Sequence, residues 1–483
     1  MKFTRAFAAS FLCLCLFLAE APIGAAEVQA AASARLEEQI ARLMREGNVP
    51  GLSMAIVRKG RPTRLHGFGV RNSASKDPVT ADTVFEAASL SKPVFAYTVL
   101  KLVDQGKLSL DAPLSGYLAK PYLENDDRLA KITARLVLSH RTGFRNWRSD
   151  DGLKIYFTPG ERFSYSGEGF VYLQTVVEHI TGKKLNEVMN ELVFEPLGMK
   201  SSSYVWRPDY DTFAAAGHDG DGTPRDFYKP DHENAASSLH TTARDYGLFL
   251  SAILDGSGLK PATFREMETP QIAVDPSCTN CLDHAPKELS KSIFWGLGWG
   301  IQRTVNNETL WHWGDNGSYK CFVTVDLASK SAVILFTNSE NGLAIAPAVF
   351  RDVTGTEPLA FTWLKYARYD SPEFLFARTA QEQGADVALQ TFRVQLTNGQ
   401  VSEDAVNNAG YRLLRKRDTA GAIRLLQRNT ELHPQSWNAW DSLGEAYAAS
   451  GDKAQAIVCY EKSLQLNPQN SGGKDMLKKL RAE

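Results

Sequence analysis

Two short apolar runs at 54–57 and 65–70, separated by Gly60-Arg61-Pro62, predict a β-hairpin over 52–72. Residues 93–105 are apolar almost all round and stop at Gly106, the pattern of a buried helix ended by glycine. The stretch 107–290 is mixed, helical in places and broken often by Gly, Pro and Asp. Strand patterns return at 298–305, 309–313, 321–326 and 332–337, with turns at Asn306-Asn307 and Ala328-Ser329-Lys330. Strands at both ends with helices between them predict an α+β domain over 31–360. In it an antiparallel sheet, built from both ends of the segment, is flanked by helices and carries a helical subdomain.

Beyond about residue 360 the pattern turns helical and repeats. Trp440, Leu443, Gly444, Tyr447, Gly451, Ala456, Tyr460 and Pro468 fit the tetratricopeptide period of about 34 residues. One period earlier stand Gly410, Ala422, Leu426 and Pro434, and one earlier again Ala388 and Phe392. An all-α region follows from this: a helical linker with a degenerate repeat over 361–402, two repeats over 403–470, and a capping helix over 471–483. Such repeats offer a surface to a protein partner. A helical appendage that packs on the preceding domain and recruits nothing fits the same pattern.

Residues 1–30 read as a cleavable signal peptide. Lys2 and Arg5 precede an apolar run at 7–18, and Gly24-Ala25-Ala26 or Val28-Gln29-Ala30 supplies small residues for cleavage. A run of about 12 residues is too short to cross a bilayer. The expectation is a periplasmic or secreted protein with no membrane span after processing. Among 483 residues the net charge is −1 with no basic stretch, which excludes a nucleic-acid partner. Cys278-Thr279-Asn280-Cys281 lies in a polar loop between Pro276 and Pro286 and predicts a small disulfide in an oxidising compartment. Zinc on this pair with His284 is the weaker alternative, since a structural site needs four ligands. Cys321 and Cys459 lie in apolar runs and read as packing residues.

The candidate chemistry begins at Ser89-Leu90-Ser91-Lys92, followed at once by Pro93 and the buried helix. Residues three apart on a helix share a face, so the Lys92 amine reaches the Ser89 hydroxyl. A serine becomes a useful nucleophile only with a base beside it. Ser-x-x-Lys starts at five places, Ser73, Ser89, Ser257, Ser450 and Ser471, and only Ser89 opens a buried helix. Burial lowers a lysine pKa towards the range where it serves as a base. Phe163-Ser164-Tyr165-Ser166-Gly167 follows the turn Thr158-Pro159-Gly160-Glu161 and presents the Tyr165 phenol at a helix start as a proton relay. His312-Trp313-Gly314 ends strand 309–313, where Gly314 admits substrate against the strand edge. The N–H of Asp315 is placed to join that of Ser89 as an oxyanion hole. Alone, Tyr165 and His312 read as packing residues; the set carries the chemistry.

In this order the set resembles the serine β-lactamase and penicillin-binding protein superfamily, in its class C-like branch. That branch also holds D-alanyl-D-alanine carboxypeptidases, D-aminopeptidases and β-lactamase-like esterases. Leu138-Ser139-His140-Arg141-Thr142-Gly143, Glu195-Pro196-Leu197-Gly198-Met199 and Ala236-Ser237-Ser238-Leu239 are similar too, and the likeness spans roughly 35–355. It implies an acyl-enzyme mechanism with Ser89 as nucleophile, Lys92 as base, Tyr165 as relay and His312 beside the site, and it calls for no cofactor or metal.

Three departures point away from penicillins. The resemblance implies an amide-recognising asparagine where Gly167 stands. It implies hydroxyl residues where Trp313 and Asp315 stand, which would hold a substrate carboxylate. An indole and an anion disfavour that carboxylate, unless Lys320 or another cation neutralises Asp315. The expected activity is therefore a serine hydrolase acting on an uncharged small-molecule ester. A D-peptidase (a carboxypeptidase, or an aminopeptidase whose substrate amine pairs with Asp315) or a β-lactamase is the alternative. A catalytically silent binding or sensor protein is the reading of a different class.

Overall fold

The computed structural model describes residues 25–482 apart from 150, 151 and 306. The signal peptide expected over 1–30 lies outside them, except for the first turns of α1 (Ala25–Gly47). Ten strands follow. β1 (Gly51–Arg58) and β2 (Arg61–Gly69) form the expected hairpin, and β3 (Phe85–Glu86) pairs with β4 (His240–Thr241) apart from the main sheet. β5 (Ile272–Ala273), β6 (Ile293–Trp295), β7 (Gly300–Arg303), β8 (Glu308–Asp315), β9 (Lys320–Asp326) and β10 (Ser331–Thr337) complete the set. The main sheet is antiparallel throughout, in the order β2-β1-β10-β9-β8-β7-β6-β5. β1 closes on β10 from Leu52↔Thr337 to Arg58↔Ser331, so the two ends of the domain share one sheet as expected.

Period-two alternation sorts β1 onto two cores. Leu52, Met54 and Ile56 face a cluster shared with Ile40 and Leu43 of α1 and with Leu343 and Val349 of α5 (Gly342–Thr354). Ala55 and Val57 face the opposite cluster, formed with α2 (Ser91–Asp104), α3 (Gly167–Thr181) and α4 (Ala243–Asp255). A sheet buried on both faces explains why β1 reads as a continuous apolar run rather than an alternating one. β5, β6 and the β3–β4 pair were not visible in the pattern, because two or three residues cannot display a period.

The C-terminal helices form pairs: α6 (Pro372–Gln383) with α7 (Ala385–Thr391), α8 (Glu403–Arg415) with α9 (Thr419–Leu432), and α10 (Trp437–Ser450) with α11 (Lys453–Leu466). α12 (Ser471–Ala482) packs on the last pair. Ser402, Asp418, Ser436 and Asp452 cap α8 to α11 in turn, each accepting the N–H three residues on. A Cβ on Gly410 would meet the Leu426 side chain at 2.8 Å, which is why the repeat needs glycine there. The degenerate leading pair is stacked like a repeat: Phe376, Ala388 and Phe392 share a core with Val406 and Leu425.

These helices also dock on the sheet domain. A hairpin at 217–225, closed by the His218↔Pro224 bridge and by Arg225 N–H on the Gly217 carbonyl at 2.8 Å, projects towards α8. Lys416, just past α8, pairs with Asp221 at its tip, and Arg412 pairs with Glu340 at 3.3 Å. Glu340 in turn accepts the Gly220 N–H at 2.9 Å.

Candidate active site

Ser89 sits in a single 3₁₀ turn, Ala88–Leu90, and the α-helix proper begins at Ser91. The sequence reading put Ser89 at the helix start, so the nucleophile is displaced by one tight turn. The cause is the backbone of Ala88, whose φ of 47° a helix cannot accept. The turn is held by side chains. Cys321 Sγ donates to the Ala87 carbonyl at 3.0 Å, Ser91 Oγ to Ala88 at 2.6 Å and Tyr204 OH to Ser91 at 2.8 Å.

Lys92 Nζ stands 3.0 Å from Ser89 Oγ and donates to the Ala236 carbonyl at 2.9 Å. The amine is wholly buried and, among the described residues, has no carboxylate beside it, so desolvation pushes its pKa well below that of a free lysine. A neutral amine has a lone pair to accept the Ser89 proton. Its other neighbours are aromatic: the Tyr165 ring lies 4.8 Å and the Trp147 ring 5.9 Å from Nζ.

Tyr165 precedes α3 by two residues, with Ser166 as the cap accepting the Gly169 N–H at 3.0 Å. Burial holds the phenol protonated, and the nearby Ser89 hydroxyl acts the other way; among the described residues the Tyr165 oxygen has no well-formed hydrogen bond of its own. Two supports fix it. His140 accepts the Ser166 N–H on Nδ1 at 3.0 Å and the Ser164 N–H on its carbonyl at 2.9 Å, and its ring stacks on Tyr165 at 4.2 Å. The Tyr165 N–H donates to Thr279 at 2.9 Å, inside the loop closed by a Cys278–Cys281 disulfide. Asp275, Cys278 and His284 bring ligand-type atoms together, but the Cys278 sulfur belongs to that disulfide, so the set does not suit a metal.

His312 lies inside β8 rather than at its end. Its Nδ1 lies 2.7 Å from the Trp313 carbonyl, and burial with the neighbouring Lys92 pushes its pKa down to about 3. The imidazole is therefore neutral at pH 7, and its ring centre is 6.2 Å from that of Tyr165. β7 pairs with β8 only as far as Trp311, so the backbone of 312–315 turns its free edge to the Ser89 turn. Gly314 is the closest point.

Two expected binding residues take other places. Trp313 does not obstruct the cleft; it is 7% exposed and packs on Tyr165 and Trp363. Asp315 is not a free anion, because Lys320 pairs with it and Tyr366 OH donates to it at 2.7 Å. That removes the argument that its charge repels a carboxylate, and it leaves no free partner there for a substrate amine. Gly167 has a steric reason: a Cβ would meet the Trp147 ring at 2.8 Å, and its N–H is taken by Asn146 Oδ1 at 2.8 Å.

Sequence reasoning assigned no role to His140, Asn146, Trp147 or Glu86. The first lies in a phrase already noted, and its φ of 54° is a signal only a structure gives. Beside the Ser89 turn opens a cleft of about 480 Å³ lined by Glu86, Trp147, Ser237, Asn316, Tyr228 and Tyr319. The hairpin at 217–225 forms its far wall through Gly217 and Arg225.

A buried amine against a serine, a phenol behind it and an unpaired strand edge in front define a serine hydrolase. The chain belongs to the beta-lactamase family, whose profile matches residues 36–353. A tetratricopeptide-repeat profile matches 437–470. Penicillin-binding protein 4 of Amycolatopsis lactamdurans is 25% identical over 74% of this chain and 95% of its own length. Esterase EstB of Burkholderia gladioli is 28% identical, over 40% of this chain and 57% of the esterase. The octameric penicillin-binding protein homologue of Pyrococcus abyssi shares the fold, with a TM-score of 0.55 at 23% identity over 72% of this chain and 81% of that one. Among the described residues no helix is long and apolar enough to cross a membrane.

Proposed function

We propose that this protein is an exported serine hydrolase that forms an acyl-enzyme on Ser89 and acts as an esterase. The observation that supports it most is the contact between Lys92 Nζ and Ser89 Oγ at 3.0 Å, made by an amine whose pKa burial lowers well below that of a free lysine. In this reading Ser89 Oγ attacks the ester carbonyl carbon as its proton passes to Lys92 Nζ. The N–H groups of Ser89 and Asp315 face the oxyanion of the tetrahedral intermediate. Collapse expels the alkoxide, which takes a proton through Tyr165 OH from Lys92 and leaves as the alcohol. Water then attacks the acyl carbon, loses its proton to Lys92, and the Ser89 alkoxide leaves and is reprotonated.

Esterase activity is favoured over amide hydrolysis by Gly167, which offers no side chain to an acyl-amide group, and by Trp147 in the space beside it. A D-peptidase remains the second reading, favoured by the length of the match to a penicillin-binding protein. Export rests on the apolar run and small residues of 1–30. The test is mass spectrometry of the intact protein after a fluorophosphonate probe, with a panel of p-nitrophenyl esters, D-amino-acid amides and D-Ala-D-Ala peptides. The expected result is one adduct on Ser89, absent in Ser89→Ala, and turnover of esters above amides. No adduct on the folded protein would favour the silent sensor.

A further inference from the structure

Glu86 lies three residues before Ser89, on β3, with its carboxyl group in the wall of the cleft. Asn316 Nδ2 donates to Oε2 at 2.9 Å, and Asn316 also reaches the Ser237 carbonyl at 3.3 Å. Oε1 has no partner among the described residues. The residue is only 7% exposed, so what its carboxyl group can meet is whatever enters the cleft.

A carboxylate this deep would ordinarily be paired with a cation, since burying a lone charge is costly. None is supplied among the described residues. Arg225, the basic residue at the cleft, is bonded to Asp219, and Lys320 is bonded to Asp315. Among the described residues the other ionisable groups around Glu86 are His240, its partner across the β3–β4 pair, which burial holds neutral with a pKa of about 4, and Tyr319 and Cys321, both pushed up by burial and so neutral near pH 7, with Asp226 at the rim. Aromatic rings of Trp147, Tyr228 and Tyr319 complete the lining, and such faces attract cations.

We infer that the cleft beside Ser89 is a subsite for a positively charged amine, with Glu86 as its counter-ion. This rests on the serine hydrolase reading and narrows its substrate class to acyl compounds that carry an ammonium group. The amine meets Glu86, not Asp315, which Lys320 already occupies. Burial raises the Glu86 pKa to about 7, so the subsite charges as the solution passes through neutrality.

The probe is n-butylammonium, set against neutral butyronitrile of similar size. Both are used as inhibitors of p-nitrophenyl butyrate hydrolysis and as ligands read by tryptophan fluorescence, since Trp147 lines the cleft. The expected result is competitive inhibition by the ammonium ion about tenfold stronger than by the nitrile, as for a hydrogen bond to a charged group. It strengthens from pH 6 to pH 8 and is lost in Glu86→Gln. The nitrile, which forms no ion pair, inhibits that variant and the unaltered enzyme alike. Equal affinity for ammonium and nitrile, or a preference that survives Glu86→Gln, overturns the inference. If the ester is not hydrolysed at all, the esterase reading fails, and fluorescence still decides whether Glu86 binds the cation. If Glu86→Gln does not fold, the pH dependence of ammonium binding to the unaltered protein decides.

Discussion

A Cβ on Gly314 would stand 3.0 Å from the Cβ of Ala88 and 2.7 Å from the Ala87 carbonyl. β8 therefore bears directly on the turn that carries Ser89, with no room for a side chain between them. Gly314→Ala should push the two apart, costing about 1–3 kcal/mol in stability and about a hundredfold in kcat through a misplaced oxyanion hole. Thermal unfolding and ester kinetics check this. An alanine variant with normal kcat would show that the edge of β8 plays no part in catalysis.

Lys92 is expected to set the acid limb of the rate profile. Its pKa is driven down by burial, so the neutral, proton-accepting form should dominate well below pH 10.5, and kcat/KM should rise with pH as that proton leaves. Lys92→Met should slow acylation by about 10²–10⁴-fold without lowering stability, since a buried amine is replaced by an apolar chain of similar length. Stopped-flow acylation with a p-nitrophenyl ester measures both.

The disulfide loop supports Tyr165 through the Thr279 carbonyl. Replacing Cys278 and Cys281 by serine should loosen that support and lower kcat by about tenfold, with KM little changed, as for a displaced proton-transfer group. The loss should be greatest for esters with poor leaving groups, which need the relay most. A uniform loss across leaving groups would place the effect elsewhere.

Glu86 should make stability depend on pH. Its folded pKa lies above the usual carboxylate value, so its contribution is present below about pH 4.5 and is lost as pH rises through about 7. Glu86→Gln removes that loss and should gain up to about 3 kcal/mol on the unaltered protein above pH 7. Denaturant melts at pH 5 and pH 8 read the difference; a gap that does not widen with pH would count against a buried, unpaired carboxyl.

Arg412 and Lys416 join the repeats to Glu340 and to the hairpin at 217–225. Ion pairs this close to the surface contribute about 0–1 kcal/mol each, so Arg412→Ala with Lys416→Ala should barely move the melting temperature. KM should rise several-fold with kcat preserved, because the far wall of the cleft is released. Asp221→Lys with Lys416→Asp should restore it.

Where burial and period agree, the chain could be read directly. The β1–β2 hairpin, the late strands and the repeat glycines each follow from short-range pattern. Ser89 was separable from four other Ser-x-x-Lys sites only because its helix is apolar on all sides. Trp313 and Asp315 were misplaced for a common reason. Neighbours in sequence said nothing of Trp363 or Tyr366, which arrive from beyond the sheet to bury one and hold the other. Glu86 left no trace, since a lone glutamate in a short strand looks like any surface acid.

The hairpin at 217–225 has one end in the cleft wall and the other under α8. Loss of the contact with α8 would therefore reach the wall of the cleft beside Ser89. A truncation after the sheet domain is expected to leave that wall without its support, and so to alter the mouth of the cleft as well as remove the repeats.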